Sequence, residues 1–318
     1  MKLIVQIPCY NEESSIADVL MAVPKQIDGI KTIETVVIDD GSTDGSAQVA
    51  RDAGATYVLQ HHQNLGLATA FTSGMKKCRE LGADIVVNID ADGQYNAAEI
   101  PILIAPIREK SADLVIGNRR PDKLEHFSLS KRFMQKLGSR IVSSLSRLNI
   151  PDTTSGFRAY SREALYRLTI ETNFSHSLET ILQAHQKKLV VCSVPISAAH
   201  TQRQSRLAKS SYHFVCRSIV TILRVITYYR PLPLYWGLGG VLILVGSSSF
   251  LRFLWFYFVS QDGEGHIQSL VIGGSFIAIG FTTLLFGTLA DQTNKNRRIL
   301  EDISARLHIL ENHIKSKK

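Results

Sequence analysis

The sequence predicts an α/β domain on a mostly parallel, doubly wound sheet, followed by two helices that cross a membrane. Over the first 120 residues, short β-branched segments alternate with amphipathic helical stretches, the pattern of a parallel sheet covered by helices. Between Thr180 and Asp262 there is no Asp or Glu, and two long apolar runs follow Pro231. The chain therefore divides into a polar first two-thirds and a basic, membrane-like last third.

The elements follow from local patterns, in order along the chain. Apolar runs of four to six residues predict strands at 3–7, 35–38, 56–59, 84–89, 113–116 and 189–194. Helical spacing of apolar residues predicts helices at 14–22, 46–53, 67–81, 128–148 and 176–187. Residues 152–160 are predicted to form a polar loop.

The last third predicts a membrane hairpin. Residues 212–229 form a basic amphipathic helix typical of a membrane interface, although an ordinary surface helix fits the same pattern. Two uncharged runs, 234–251 and 270–290, are long enough to span hydrocarbon. The loop between them carries Asp262 and Glu264, whereas the residues before the first run and after the second are basic. The positive-inside rule therefore places both ends of the hairpin in the cytoplasm. A buried helical hairpin in a soluble domain is the alternative.

These patterns predict four regions and a location. The regions are a cytoplasmic domain at 1–205, an interfacial helix at 206–230, a hairpin at 231–290 with spans at 234–258 and 269–290, and a cytoplasmic helical tail at 291–318. The apolar run 3–7 is too short for a signal peptide. We therefore expect a multi-pass protein of the cell inner (cytoplasmic) membrane.

Composition excludes several classes of protein. The four cysteines have no metal-ligand spacing, which argues against a disulfide scaffold or a zinc site. The net charge of +8 could suggest nucleic acid. Because the basic excess lies beside the apolar spans, however, anionic lipid explains it better, and we expect no nucleic acid partner.

Polar clusters directly follow three predicted strands. They are residues 8–13 (PCYNEE), 39–44 (DDGSTD) and 90–94 (DADGQ). Ligands of parallel sheets bind beyond the carboxyl ends of the strands. Asp90 and Asp92 can share a hard cation such as Mg²⁺ or Mn²⁺, to which Gln94 can add an oxygen. Each cluster alone could be a turn or a helix cap, but the set favours a site for a phosphorylated ligand.

The ordered motifs resemble those of family 2 glycosyltransferases, in particular the polyprenyl-phosphate branch. The motifs are PCYNEE, DDGSTDG, NLG (64–66), DADGQ, GNR (117–119) and TSGFR (154–158). Together they cover roughly residues 1–205. The branch includes dolichol-phosphate mannose synthases and bactoprenol glucosyltransferases, and the latter are also similar in having a C-terminal hairpin. The resemblance implies a GT-A fold with a Rossmann-like sheet, a nucleotide-sugar donor, a divalent metal and inversion at the anomeric carbon.

Site residues are carried over from the resemblance. It places at the nucleotide sugar Pro8, Asn11, Glu12, Asp40, Gly66, Asp90 and Asp92. It gives Mg²⁺ or Mn²⁺ the ligands Asp90, Asp92 and Gln94. It assigns the acceptor phosphate to Arg119, Arg132 and Arg203. Asp152, with Arg119 and Arg132, is expected to act in catalysis, either by orienting Arg132 or Arg158 or by assisting the acceptor.

The sequence hypothesis is therefore transfer of a hexose, glucose from UDP-glucose first, onto undecaprenyl phosphate. Transfer of mannose, N-acetylglucosamine or galactose to the same lipid is one alternative. A membrane-bound nucleotidyltransferase or a non-catalytic membrane scaffold is an alternative from a different class of protein. Apolar residues at three- and four-residue steps in the tail also predict a homo-oligomer, for example a tetramer, or docking of the tail on the catalytic domain. They are Leu300, Ile303, Leu307, Leu310 and Ile314.

Overall fold

The structure is a computed structural model. It describes residues 1–119, 143, 150–168, 176–197, 220, 223, 224, 226–228, 230–259 and 267–315. The chain forms two compact units, one of Met1–Ser218 with Asp302–Lys318 and the other of Ile219–Glu301. The predicted boundaries at 205, 230 and 290 stay predictions.

The described part of the first unit is built on a seven-stranded mixed sheet. Its strands are β1 (Lys2–Cys9), β2 (Thr32–Asp39), β3 (Tyr57–Gln60), β4 (Ile85–Asn88), β5 (Leu114–Asn118), β6 (Arg158–Ser161) and β7 (Val191–Pro195). Their order is β3-β2-β1-β4-β6-β5-β7. Every pairing is parallel except the two made by β6. The predicted mostly parallel α/β architecture is confirmed.

The strand β6 corrects the predicted polar loop at 152–160. Residues Arg158–Ser161 lie between β4 and β5 and pair antiparallel with both. Arg158 is fully buried there, and a buried charge is rare in a strand. The local pattern therefore indicated a loop, whereas hydrogen bonds from the rest of the fold make the burial of this arginine possible.

Six α-helices with defined bounds are described within Met1–Ser218, and most match the predicted positions. They are α1 (Ile16–Met21), α2 (Ser46–Asp52), α3 (Leu67–Glu80), α4 (Ile100–Arg108), α5 (Arg162–Arg167) and α6 (His176–Gln186). The sequence interpretation missed α4 and α5. The residues Ile100, Leu103, Ile104 and Ile107 bury one face of α4 with the i, i+3, i+4, i+7 spacing of an amphipathic helix. The predicted basic helix 128–148 lies outside the described residues, apart from position 143.

Two described helices, which lie mostly in the second unit, are long and apolar enough to cross a membrane, judged by length and composition over Pro231–Phe258 and Ile267–Arg297. They are α7 (Pro231–Phe258) and α8 (Ile267–Lys315), and the two predicted spans lie within them. The helix α8 continues through the predicted tail without a break. Its 49 residues correspond to about 74 Å, so less than half would lie in a hydrocarbon core of about 30 Å. The described positions of the predicted interfacial helix 212–229 are helical.

Glycines allow α7 and α8 to approach closely. A Cβ atom at Gly239 would lie 2.8 Å from the Gly280 carbonyl oxygen, and one at Gly246 would lie 2.7 Å from the Gly273 carbonyl oxygen. Neither position has room for a side chain. Small residues at such contacts are the usual basis of helix packing in membranes, so the contacts are consistent with a membrane hairpin.

Candidate active site

The polar clusters lie at one edge of the sheet because β1, β2 and β4 are adjacent and parallel. Pro8 lies near the end of β1, opposite Ile38 of β2. The Asp40 backbone N–H donates to the Cys9 carbonyl at 2.8 Å, which joins the ends of these two strands. The fold thus brings the PCYNEE, DDGSTD and DADGQ segments to the same edge.

The turn after β1 is held by the turn after β2. Asn11 adopts a φ of 54°, a left-handed conformation that Asn tolerates better than most residues. Its backbone N–H donates to Ser42 Oγ at 2.9 Å, and its Oδ1 accepts from the Thr43 backbone N–H at 2.8 Å. The Glu12 backbone N–H donates to Ser46 Oγ at 2.8 Å. These contacts fix the segment that was predicted to meet the nucleotide.

Asp40 organises the loop before α3. Its carboxylate accepts the backbone N–H groups of Leu65 at 3.0 Å and Gly66 at 2.8 Å. It also lies 2.7 Å from His61 Nδ1, and His61 Nε2 lies 3.0 Å from Ser73 Oγ. Asp40 is only 3% exposed, and its hydrogen bonds hold Gly66 in place. Its predicted position beside the uridine stays a prediction.

The paired carboxylates follow β4. Burial, with a further contribution from the charge of Asp92, raises the pKa of Asp90 to about 6. Asp92 is exposed, and its Oδ1 accepts the backbone N–H of Gln94 at 3.0 Å. No group of three or more His, Cys, Asp or Glu within the described residues could hold a metal ion. Two carboxylates still suit Mg²⁺ or Mn²⁺, because such ions commonly keep substrate phosphates and waters as their other ligands.

Gly156 lies directly against Asp90. A Cβ atom at this glycine would overlap the Asp90 carboxylate, so a larger residue would force that side chain to move. The Gly156 N–H donates to Tyr95 Oη at 3.0 Å, and its carbonyl accepts from Asn88 Nδ2 at 2.8 Å. The Asn88 Oδ1 in turn accepts from Gln6 Nε2 at 2.8 Å. A buried polar chain thus links the middle of the sheet to the TSGFR segment.

Arg119 and Asp152 form a bidentate ion pair. Arg119 Nε lies 2.7 Å from Asp152 Oδ2, and Nη2 lies 3.0 Å from Oδ1. Arg119 Nη2 also donates to Thr154 Oγ1 at 2.8 Å. Burial alone would raise the pKa of the Asp152 carboxyl, but the hydrogen bonds and charge of Arg119 hold it below its usual value.

This pairing adds a partner for Asp152 that the sequence interpretation did not name. The sequence interpretation had it orient Arg132 or Arg158 or assist the acceptor, and among the described residues its carboxylate pairs with Arg119. The predicted catalytic role of Asp152 stays a prediction. Arg132 and Arg203, the other predicted acceptor residues, lie outside the described residues.

Arg158 instead fixes the TSGFR segment from inside. Its guanidinium donates to the carbonyl oxygens of Ser155 at 2.7 Å, Thr153 at 2.8 Å and Ser177 at 2.6 Å. It also donates to Thr180 Oγ1 at 2.8 Å. These bonds satisfy a fully buried charge and hold the segment against α6.

A family model matches the part of the chain that carries the described site residues. The model described as "Glycosyl transferase family 2" matches residues 4–169, which is more than half of the chain. The chain belongs to glycosyl transferase family 2. The matched range contains every described site residue, and the resemblance in the sequence motifs is confirmed.

Relatives in this family act on polyprenyl phosphates. The chain is 30% identical to a UDP-N-acetylglucosamine–dolichyl-phosphate N-acetylglucosaminyltransferase of Methanococcus voltae, over 62% of this chain and 85% of that protein. It is 27% identical to an undecaprenyl-phosphate mannosyltransferase of Micrococcus luteus, over 70% and 93%. It is 25% identical to an undecaprenyl-phosphate 4-deoxy-4-formamido-L-arabinose transferase of Photorhabdus laumondii, over 96% and 91%. The last match includes the apolar helices.

The fold is also that of a solved glycosyltransferase. Glucosyl-3-phosphoglycerate synthase of Mycobacterium tuberculosis, crystallised with Mn²⁺, UDP and glucosyl-3-phosphoglycerate, matches with a TM-score of 0.53 and 23% identity. The match covers 71% of this chain and 78% of that one. The GT-A fold implied by the family resemblance is therefore confirmed.

Sequence reasoning missed the residues that connect the predicted ones. The side chains of Asn88 and Tyr95 make hydrogen bonds to Gly156. The side chain of His61 makes one to Asp40. Asn88 and Tyr95 both flank the DADGQ motif. An amide inside an otherwise apolar strand was the available signal, because a buried amide requires partners.

Proposed function

We propose that this protein transfers a hexose, with glucose from UDP-glucose as the first candidate, to undecaprenyl or another polyprenyl phosphate with inversion. The observation that carries the proposal is the joining of a carboxylate pair to an arginine–aspartate pair across Gly156. Asp90 and Asp92 suit the metal-bound diphosphate of a nucleotide sugar. Arg119 donates to Thr154, two residues before Gly156 in the chain, and a guanidinium suits an acceptor phosphate.

The polyprenyl-phosphate relatives support the acceptor, and UDP in the structural neighbour supports the donor. Mg²⁺ or Mn²⁺, when bound, would neutralise charge that develops on the leaving diphosphate. Asp90 and Asp92 would hold it, and Gln94 would lie within the same turn. Pro8, Asn11, Glu12 and Gly66 would contact the nucleotide.

The chemistry of the acceptor explains why the site needs no free general base. A phosphate monoester is largely anionic at pH 7, since its second pKa lies near 6. The step then only needs the anionic oxygen to be positioned behind the anomeric carbon. Asp152, whose two oxygens bind Arg119, would act by orienting this guanidinium. Arg132 and Arg203 would also bind the acceptor phosphate.

The proposal places the protein in the cell inner membrane as a multi-pass protein, with the sheet on the cytoplasmic face. The helices α7 and α8 would form the hairpin. Nucleotide sugars are charged and water-soluble, whereas a polyprenyl phosphate is embedded in lipid. A domain beside a membrane anchor can meet both substrates.

The test uses the purified full chain with undecaprenyl phosphate and a panel of labelled nucleotide sugars. We expect glucose from UDP-glucose to enter the lipid phase with an inverted anomeric linkage. EDTA should stop the transfer, and Mg²⁺ or Mn²⁺ should restore it.

Outcomes separate the parts of the proposal. Transfer of a different sugar would contradict glucose alone, and full turnover in EDTA would contradict the metal. Absence of lipid labelling with every donor, from protein that is folded by a thermal unfolding assay, would contradict the proposed reaction.

A further inference from the structure

Tyr95 contacts both sides of the site. It is 4% exposed, and its Oη accepts the Gly156 N–H at 3.0 Å. Its ring centroid lies 5.5 Å from that of Phe157 and 5.9 Å from the Arg119 guanidinium carbon. Tyr95 therefore connects the turn after β4, which bears Asp90 and Asp92, to Gly156, Phe157 and Arg119 through a hydrogen bond and two ring contacts.

The backbone N–H and the backbone carbonyl of Gly156 are each bound by a residue close to Asp90 in the chain. Asn88, two residues before Asp90, binds the Gly156 carbonyl, and Tyr95, five residues after it, binds the N–H. Between them, the α-carbon of Gly156 faces the Asp90 carboxylate without room for a Cβ atom. These contacts restrain the position of the segment that bears Asp152 and Thr154 relative to Asp90.

We propose that Tyr95 is a positioning residue that sets the distance between the carboxylate pair and the Arg119–Asp152 pair. The inference rests on the proposed function, since those two pairs are taken to hold the donor and the acceptor phosphate. Asn88 has the same role through its hydrogen bond to the Gly156 carbonyl oxygen. Neither residue takes part in the bond changes.

A defined distance matters because two reactions compete at the anomeric carbon. In transfer, the bond from this carbon to the diphosphate oxygen breaks and a bond to the acceptor phosphate oxygen forms. In hydrolysis, a water oxygen forms the new bond and its proton goes to solvent, while the same diphosphate leaves. Displacement of a bound reactant by about 1 Å can cost on the order of a hundredfold in rate. Water reaches the anomeric carbon from solvent without being bound, so the same displacement should slow hydrolysis less than transfer.

The test measures the ratio of transfer to donor hydrolysis in the full-length protein, with undecaprenyl phosphate and the donor that the wild-type protein uses. Tyr95→Phe removes only the phenol oxygen and keeps the ring against Phe157 and Arg119. Loss of active protein lowers both rates equally, so the ratio reports positioning and a purely structural defect would not change it. Tyr57→Phe is the matched control, because Tyr57 is half-buried on β3 at the far edge of the sheet.

We expect Tyr95→Phe to lower the ratio roughly tenfold and to raise the KM for the acceptor, with the KM for the donor unchanged. Tyr57→Phe should leave all three values unchanged. Asn88→Ser shortens the side chain out of reach of the Gly156 oxygen and should lower the ratio in the same direction. It serves as the second variant if Tyr95→Phe does not fold.

An unchanged ratio in the folded variants, with normal wild-type transfer, would overturn this inference and leave the proposed function intact. No transfer by the wild-type protein with any donor would overturn the proposed function, and this inference with it.

Discussion

Asp90 is a residue whose charge is unfavourable in the folded, metal-free protein. Burial and the neighbouring Asp92 raise its pKa to about 6, above the value near 3.9 of an unfolded chain. The folded state therefore favours the protonated carboxyl. The resulting loss of stability is complete above pH 6 and disappears below about pH 4.

Asp90→Asn should therefore stabilise the protein in EDTA at pH 7.5 while reducing turnover by orders of magnitude. The gain should be roughly 1–3 kcal/mol, and it should vanish near pH 4. Thermal unfolding across pH and lipid-labelling assays measure the two effects. Asp92→Asn is the control, since Asp92 is exposed and should give less stabilisation. A destabilised Asp90→Asn protein at pH 7.5 would contradict the conclusion that folding disfavours the charge of Asp90.

Arg119 and Asp152 should depend on each other for stability. Arg119→Met leaves the fully buried Asp152 without its cationic partner, which commonly costs about 3–5 kcal/mol. Adding Asp152→Leu should recover most of that stability, because an apolar pair can replace a buried ion pair. Acceptor use should stay lost in both variants, with the KM for the donor changed less. Recovery of transfer in the double variant would show that Arg119 does not bind the acceptor.

At the scale of elements, the helix pair α7 and α8 depends on glycine at defined positions. Gly239 lies against the Gly280 backbone, whereas a Cβ atom at the adjacent Gly240 would point into open space, with no neighbouring atom within 4 Å. The two neighbours on one helix thus differ only in the face they occupy.

Gly239→Ala should destabilise the hairpin by about 1–3 kcal/mol through overpacking. Gly240→Ala should be neutral or slightly stabilising, since Ala favours helices over Gly. Thermal unfolding of the reconstituted protein measures both. Equal effects of the two substitutions would mean that the helices do not pack through this face in the membrane.

At the scale of the whole molecule, the charge distribution predicts the orientation in the membrane. In a protein stripped of native cysteines, Asp262→Cys should react with an impermeant reagent added to intact cells. Asn296→Cys, which is exposed on α8, should react only after the cells are opened. The reverse pattern would contradict the positive-inside argument.

The tail of α8 predicts self-association. Leu300, Ile303 and Leu307 are 66%, 49% and 55% exposed, a seam that two copies could bury. Cross-linking in membranes should give oligomers with the full chain and fewer with a chain that ends at Arg298. Cross-links within a single chain, between the tail and the first 200 residues, would favour docking on the catalytic domain instead.

The sequence by itself determined the alternation of strands and helices, the two apolar helices and the polar clusters at the strand ends. These features are local, because the period of apolar residues and the residues that end a strand occupy neighbouring positions. Asp90, Asp92 and Gln94 could be assigned to one turn since they are almost adjacent in the chain. Family motifs then supplied the expected chemistry.

Only the tertiary structure decided which side chains meet across long separations. Asp152 binds Arg119, 33 residues earlier, and Asn88 binds Gly156, 68 residues later. The burial of Arg158 in β6 likewise depends on carbonyl groups that other segments provide. Such contacts form when strands distant in sequence pair in the sheet, and no local pattern records that pairing. For this reason the paired carboxylates could be selected from the sequence as candidate site residues, whereas the contacts that connect Asp90, Gly156, Tyr95 and Arg119 required the fold.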